Sequence, residues 1–163
     1  MRESMSRLTP RFSANRTVRE YTDTYYLDAA ARYCERAQNR GAAGALLQKW
    51  ERDVTSHWRD LRFGELRVAG SSEERLVFDV EVYLGGLSPD AVRVELYADP
   101  LNDEFPFRLE MARTGSLAGP VAGYVYHASV SAGRPASHYT PRVIPYHPAT
   151  RVPLENARIL WFR

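Results

Sequence analysis

The sequence predicts an α+β chain, with N-terminal amphipathic helices followed by an antiparallel, immunoglobulin-like β-sandwich. Three observations lead there. Apolar residues recur at helical spacing through the first sixty or so positions. After Leu61 the period shortens to two. From there to the end, about seven short runs are separated by Gly and Pro, and no helical pattern falls between them, which argues against parallel βαβ units. The expected division is a helical segment over residues 1–60 and a β-sandwich domain over residues 61–163.

Ser13 is suited to an N-cap because its hydroxyl can accept from a free first-turn amide; Thr17-x-x-Glu20 offers an alternative capping box. Val18, Tyr21 and Tyr25 then share one face. Leu27, Ala30, Ala31, Cys34 and Ala37 continue the stripe to Arg40, and Gly41 supplies a stop. A further helix carries Ala45, Leu46, Trp50, Val54 and Trp58. These helices are amphipathic, so each needs a surface to cover its stripe.

The first strand centres on Glu65 to Val68 and closes at Gly70-Ser71-Ser72. The clearest alternation runs from Leu76 to Tyr83, with Phe78, Val80 and Val82 on one face and Asp79 and Glu81 on the other. Turns follow at Gly85-Gly86 and Ser88-Pro89-Asp90. Val92, Val94 and Leu96 alternate with Arg93, Glu95 and Tyr97 in the next strand. Residues 105–111, 124–130, 142–146 and 159–162 complete the set.

Composition excludes several classes of protein. Of the 163 residues, 44% are hydrophobic and 26% charged, which is ordinary globular usage and argues against disorder of the whole chain. The net charge of +2 comes from interspersed signs, not from the basic stripe of a nucleic-acid binder. Arg2, Arg7, Arg11, Arg16 and Arg19 are interleaved with Glu3, Glu20 and Asp23 and read as a solvated or docked helix face. Cys34 is the only cysteine, so neither an intramolecular disulfide nor a multi-cysteine zinc site can form. No apolar run reaches the roughly 20 residues of a membrane span, and the first residues lack the apolar core of a secretory signal. A cytoplasmic location is expected.

The constellations that carry chemistry are weak. Gly85-Gly86 and the glycines from Gly115 to Gly123 fall between predicted strands and read as hairpin turns, not as a phosphate loop. His57, His127, His138 and His147 show no metal-ligand pairing. Ser129 and Ser131 lack a nucleophile elbow. Asp99, Asp103 and Glu104 offer carboxylates for glycosidic cleavage, but beside Pro100 and Asn102 they read as a solvated turn. No catalytic, cofactor-binding or metal-ligating residue is assigned.

Aromatics are the more suggestive feature. Tyr97, Tyr124, Tyr126, Tyr139, Tyr146, Trp161 and Phe162 all lie in the β part, where they either fill the core or offer faces on which sugars stack. Tyr97, Tyr124 and Tyr126 are the candidate sugar contacts. Trp50 and Trp58 read as core anchors.

The segment from Met1 to Tyr21 resembles the last helical stretch of glycogen and α-glucan phosphorylases. Their helix-entry motif F-S-x-D-R-T-I-x-E-Y is matched by Phe12, Ser13, Arg16, Thr17, Glu20 and Tyr21, with Val18 for Ile and Asn15 for Asp. Residues 50–58, 82–95 and 139–145 are similar to the C-terminal extension of the bacterial branch of that family. The resemblance implies a parent that cleaves α-1,4-glucans with orthophosphate, giving glucose 1-phosphate with the aid of pyridoxal phosphate. In the family, the cofactor lysine lies upstream of the matched motif. Lys49, the only lysine here, falls after it and inherits no role.

The chain is therefore expected to be a non-catalytic C-terminal structural or interaction module, with no cofactor of its own and the catalytic lobes of a phosphorylase as partner. The alternative is a carbohydrate-binding module that tethers the enzyme to glucan; an independent hydrolase is a third and weaker reading. No nucleic-acid or membrane partner is expected. Helices detached from their lobe would leave an apolar stripe that favours a homodimer.

Overall fold

The computed structural model describes residues 2–9, 11–71, 74–101, 105–119 and 122–163. The chain divides into two compact units, Met1–Leu47 and Gln48–Arg163. Ser72 of the first predicted turn, and Asn102, Asp103 and Glu104 of the carboxylate loop, lie outside the described residues.

The first unit is helical. It contains α1 (Arg2–Leu8), α2 (Ala14–Tyr21), a π-helical turn over Thr22–Tyr26, and the first part of α3 (Leu27–His57). Ser13 caps α2 from an extended backbone, its hydroxyl accepting from the Arg16 amide at 3.3 Å. Thr17 lies inside that helix and donates its hydroxyl to the Ser13 carbonyl, so the alternative capping box is not formed. The π turn was not expected; it widens one turn and shifts the face on which Tyr21 and Tyr25 meet, their ring centroids 5.8 Å apart. Helix α3 is interrupted at Gln38–Gly41, where Asn39, Arg40 and Gly41 take φ of 53°, 59° and 78°. Gly41 thus stands at the break its identity suggests. Arg7, Arg11, Arg16 and Arg19 of the basic run are exposed, and the run carries the i,i+4 pairs Glu3–Arg7 and Glu20–Arg16.

Among the described residues of this unit none is buried. Phe12 and Tyr33 are each 73% exposed and Val18 is 62% exposed.

The second unit starts with the end of α3 and continues into two antiparallel four-stranded sheets. The strands are β1 (Arg62–Ser71), β2 (Arg75–Tyr83), β3 (Val92–Ala98), β4 (Phe107–Glu110), β5 (Ala112–Leu117), β6 (Gly123–Ser131), β7 (Tyr139–Pro145) and β8 (Leu160–Trp161). One sheet has the order β1-β2-β6-β5, the other β4-β3-β7-β8. Phe78, Val80 and Val82 of β2 and Val92, Val94 and Leu96 of β3 are buried, as the alternation requires. Phe78 of the first sheet meets Tyr139 of the second edge-to-face at 5.5 Å, and Phe63 meets Phe162 at 5.4 Å.

The described residues contain eight strands, not seven. The addition is β5, an edge strand whose residues are almost all exposed, so its sequence carries no apolar alternation to reveal it. Gly115 consequently lies within a strand, at a register shift against β6, and not in a turn. Phe105, expected in the fourth strand, is 95% exposed and precedes it.

Residues 48–57 hold to the sheets through Trp50 and Val54, both buried. The Trp50 indole donates to the Ala91 carbonyl at 3.2 Å, an acceptor shared with the Tyr146 amide at 2.8 Å. Near the C-terminus, Asn156 and Arg158 both donate to the Glu51 carboxylate, at 2.9 and 3.0 Å. Trp58 is only half-buried, so of the two tryptophans Trp50 is the deeper anchor. The turn after β2 needs glycine: Gly85 has φ +58°, and a Cβ there would stand 2.5 Å from Asp60 Cβ.

Candidate functional site

The three tyrosines singled out from the sequence do not converge. Tyr97 belongs to β3 in one sheet, whereas Tyr124 and Tyr126 belong to β6 in the other.

Tyr97 lies on the face of β3 opposite Val94 and Leu96. Its ring meets Trp161 edge-on at 5.2 Å, and the Arg142 guanidinium stands 4.6 Å from its centroid. Its hydroxyl donates to Asp99 at 3.1 Å. Desolvation, then that hydrogen bond, raise the phenol above its ordinary value. Asp99 therefore serves as an acceptor for Tyr97.

Tyr126 is only 5% exposed, and its hydroxyl is buried with no hydrogen-bond partner among the described residues. Burial pushes the phenol up to about 12, because desolvation penalises the phenolate. Tyr126 lines a recess of about 510 Å³, within the range of small-molecule sites. Val92, Val94 and Met111 contribute apolar wall, and Arg93, Glu110, Arg113 and Asp90 contribute charge. The recess lies where the edge strands β4 and β5, each the edge of a different sheet, follow one another in sequence through Met111.

The charges there are matched. Arg93 Nε stands 3.3 Å from Glu110, and its guanidinium lies 3.6 Å over the Tyr146 ring. Close as that contact is, it lacks hydrogen-bond alignment, and Arg93 Nε is buried with no aligned acceptor among the described residues. Arg113 reaches Asp90 at 3.5 Å and sits 5.4 Å from the Tyr124 ring. Tyr124 thus neighbours the recess through Arg113, which is also the cross-strand partner of Tyr126.

The remaining candidates are engaged elsewhere. Ser129 accepts from Arg75 at 2.9 Å beside a second recess, and no histidine contact to it is observed among the described residues. His127 pairs across strands with Asp79 at 2.8 Å, His57 contacts the Asp53 carbonyl, and His147 accepts from the Ala149 amide. Among the described residues no group of three or more His, Cys, Asp or Glu gathers as a metal site would require. Lys49, the only lysine of the sequence, is exposed and lines neither recess. Among the described residues no helix is long and apolar enough to cross a membrane.

Sequence reasoning missed Arg93, Arg113 and Glu110 as residues of this recess. The signal for Arg113 was unreadable because its strand was unseen, and the others became neighbours only through the sheet order.

A family model described as the glycogen phosphorylase C-terminal domain matches residues 58–163. Maltodextrin phosphorylase of Thermococcus litoralis is 31% identical over 153 residues, covering 90% of this chain and 18% of that protein. Glycogen phosphorylases of Mycobacterium tuberculosis and Mycobacterium bovis are each 28% identical over 159 residues, covering 91% of this chain and 18% of theirs. The chain thus spans under a fifth of the length of the curated relatives it matches.

Proposed function

The chain belongs to the glycogen phosphorylase C-terminal domain family, and from that premise we propose that it is a non-catalytic structural and interaction module acting with the catalytic portion of an α-glucan phosphorylase. One observation carries this reading. The helical unit exposes Phe12, Val18, Tyr21, Tyr25, Tyr26, Leu27 and Tyr33, and buries no described side chain. So much uncovered aromatic surface on a short helical segment calls for a partner. The partner we assign is the catalytic portion, whose activity in the parent would be phosphorolysis of α-1,4-glucan to glucose 1-phosphate. We place pyridoxal phosphate there and not on this chain.

The β unit is taken as an immunoglobulin-like sandwich domain over residues 61–163, preceded by a helical segment over 1–60. The strand order supports this: β1-β2-β6-β5 follows the A-B-E-D order of such domains, and β3-β7-β8 follows C-F-G with β4 added at the edge. The ring contacts between the two sheets support it as well. A cytoplasmic setting goes with this reading.

The test is a binding titration between this chain and a phosphorylase truncated of its own C-terminal region, followed by sedimentation. A one-to-one complex weakened by Tyr21→Ser with Tyr25→Ser is expected. Self-association into a homodimer with no affinity for the truncated enzyme would overturn the reading, as would sustained release of glucose 1-phosphate by the chain alone.

A second reading, a carbohydrate-binding module that tethers the enzyme to glucan, is favoured by the recess beside Tyr126, where the buried Tyr126 hydroxyl has no acceptor among the described residues. Retardation of the chain in a glycogen-containing gel tests it.

A further inference from the structure

We propose that the recess between the edges of β4 and β5 binds a single neutral pyranose unit, with the Tyr126 hydroxyl and Arg93 Nε as its donors. The inference rests on the carbohydrate-binding reading and gives it a site and a ligand chemistry.

Two unspent donors stand there. The Tyr126 hydroxyl and Arg93 Nε are both buried; the first has no acceptor among the described residues, and the second faces Glu110 at 3.3 Å without hydrogen-bond alignment. Buried polar groups are ordinarily paired, and leaving one unpaired costs free energy that a ligand oxygen would recover. The ligand must therefore bring acceptors.

Charge decides what kind. Arg93 already faces Glu110 at 3.3 Å, and Arg113 faces Asp90 at 3.5 Å. With each cation opposed by a carboxylate, the recess holds no surplus positive charge to recruit an anion such as phosphate. A neutral polyol matches this arrangement, its oxygens accepting from the two donors and its hydroxyl protons donating to Glu110 and Asp90. The apolar wall of Val92, Val94 and Met111 suits the C–H face of a sugar ring.

Access runs past Arg113. Its side chain and that of Asp90 are 41% and 85% exposed, so parting this pair costs little, and a swing of Arg113 uncovers its cross-strand neighbour Tyr126.

The experiment titrates the full chain with maltose, and separately with inorganic phosphate, following amide chemical shifts, for the wild type and for Tyr126→Phe. Maltose should shift residues around Val94, Met111 and Tyr126, and Tyr126→Phe should weaken it by about tenfold, the worth of one hydrogen bond to a buried donor. Tyr126→Phe removes only the unpartnered oxygen, so the variant stays folded and its affinity is interpretable. Equal maltose affinity in the two proteins overturns the proposal, as does a response to phosphate without one to maltose. Glycogen-gel retardation of both proteins alike would overturn this site while leaving the tether reading intact. Maltose binding at Tyr126 without gel retardation would uphold the site and sink the tether.

Discussion

Arg142 donates twice to a single oxygen of Glu95, from Nη2 at 2.6 Å and from Nε at 2.9 Å. The two residues face each other across β7 and β3, and the guanidinium lies 4.6 Å from the Tyr97 ring and 5.3 Å from that of Trp161. Arg142 is buried. The pair ties together the two central strands of the second sheet, and Arg142 extends the contact to Trp161 of β8, whose only described ladder contacts are to β7.

Removing one partner strands the other. Glu95→Ala leaves a buried guanidinium uncompensated and should cost roughly 3 kcal/mol in urea unfolding. The double variant Glu95→Leu with Arg142→Met should recover most of that loss, because the stranded charge is gone. If the single variant unfolds at the wild-type midpoint, the pair contributes nothing.

The end of α3 should unfold together with the sheets. Trp50→Ala empties a buried site and removes a donor to the Ala91 carbonyl, at a cost of roughly 3–5 kcal/mol. Trp50→Phe retains most of the bulk and leaves Ala91 its bond from Tyr146, so about 1 kcal/mol is expected. Denaturant titrations of both variants check this; equal costs would mean that the indole donor, which both variants lose, matters and the filled volume does not.

Alkaline stability should carry the signature of Tyr126. Its phenol ordinarily titrates near 10 and is raised to about 12 in the folded chain. Below pH 10 both states hold the proton, and the native state keeps its full advantage. As pH rises from 10 to 12 the unfolded chain releases its proton while the folded chain still holds it, so stability falls. Tyr126→Phe should lessen that fall by roughly 2–3 kcal/mol when the two proteins are compared between pH 9 and pH 12. Parallel curves for the two proteins would refute it.

Gly85→Ala should destabilise the chain by roughly 2 kcal/mol or more, since it demands a left-handed backbone and places a methyl group 2.5 Å from Asp60 Cβ. The nearby contacts include Asp60 backbone atoms, which cannot swing aside as a long side chain would. A thermal melt suffices; an unchanged midpoint contradicts the crowding at this turn.

The helix cap at Ser13, the break at Gly41 and the buried faces of β2 and β3 were legible because each is a local effect. A hydroxyl reaches a first-turn amide, glycine accepts positive φ, and alternation separates core from solvent within a single strand. Strand β5 was invisible for the converse reason. Its exposed residues derive their order from pairing with β6 and from no pattern of their own.

By itself, then, the sequence determined the succession of helices and antiparallel strands, the positions of most elements and the family resemblance, because these depend on neighbours within a few residues. Tertiary structure alone decided that Tyr97 stands apart from Tyr124 and Tyr126, and that Arg93, Arg113 and Tyr126 gather at one recess. Residues far apart along the chain become neighbours only when strand order and register are set, and those are fixed by burial over the whole domain.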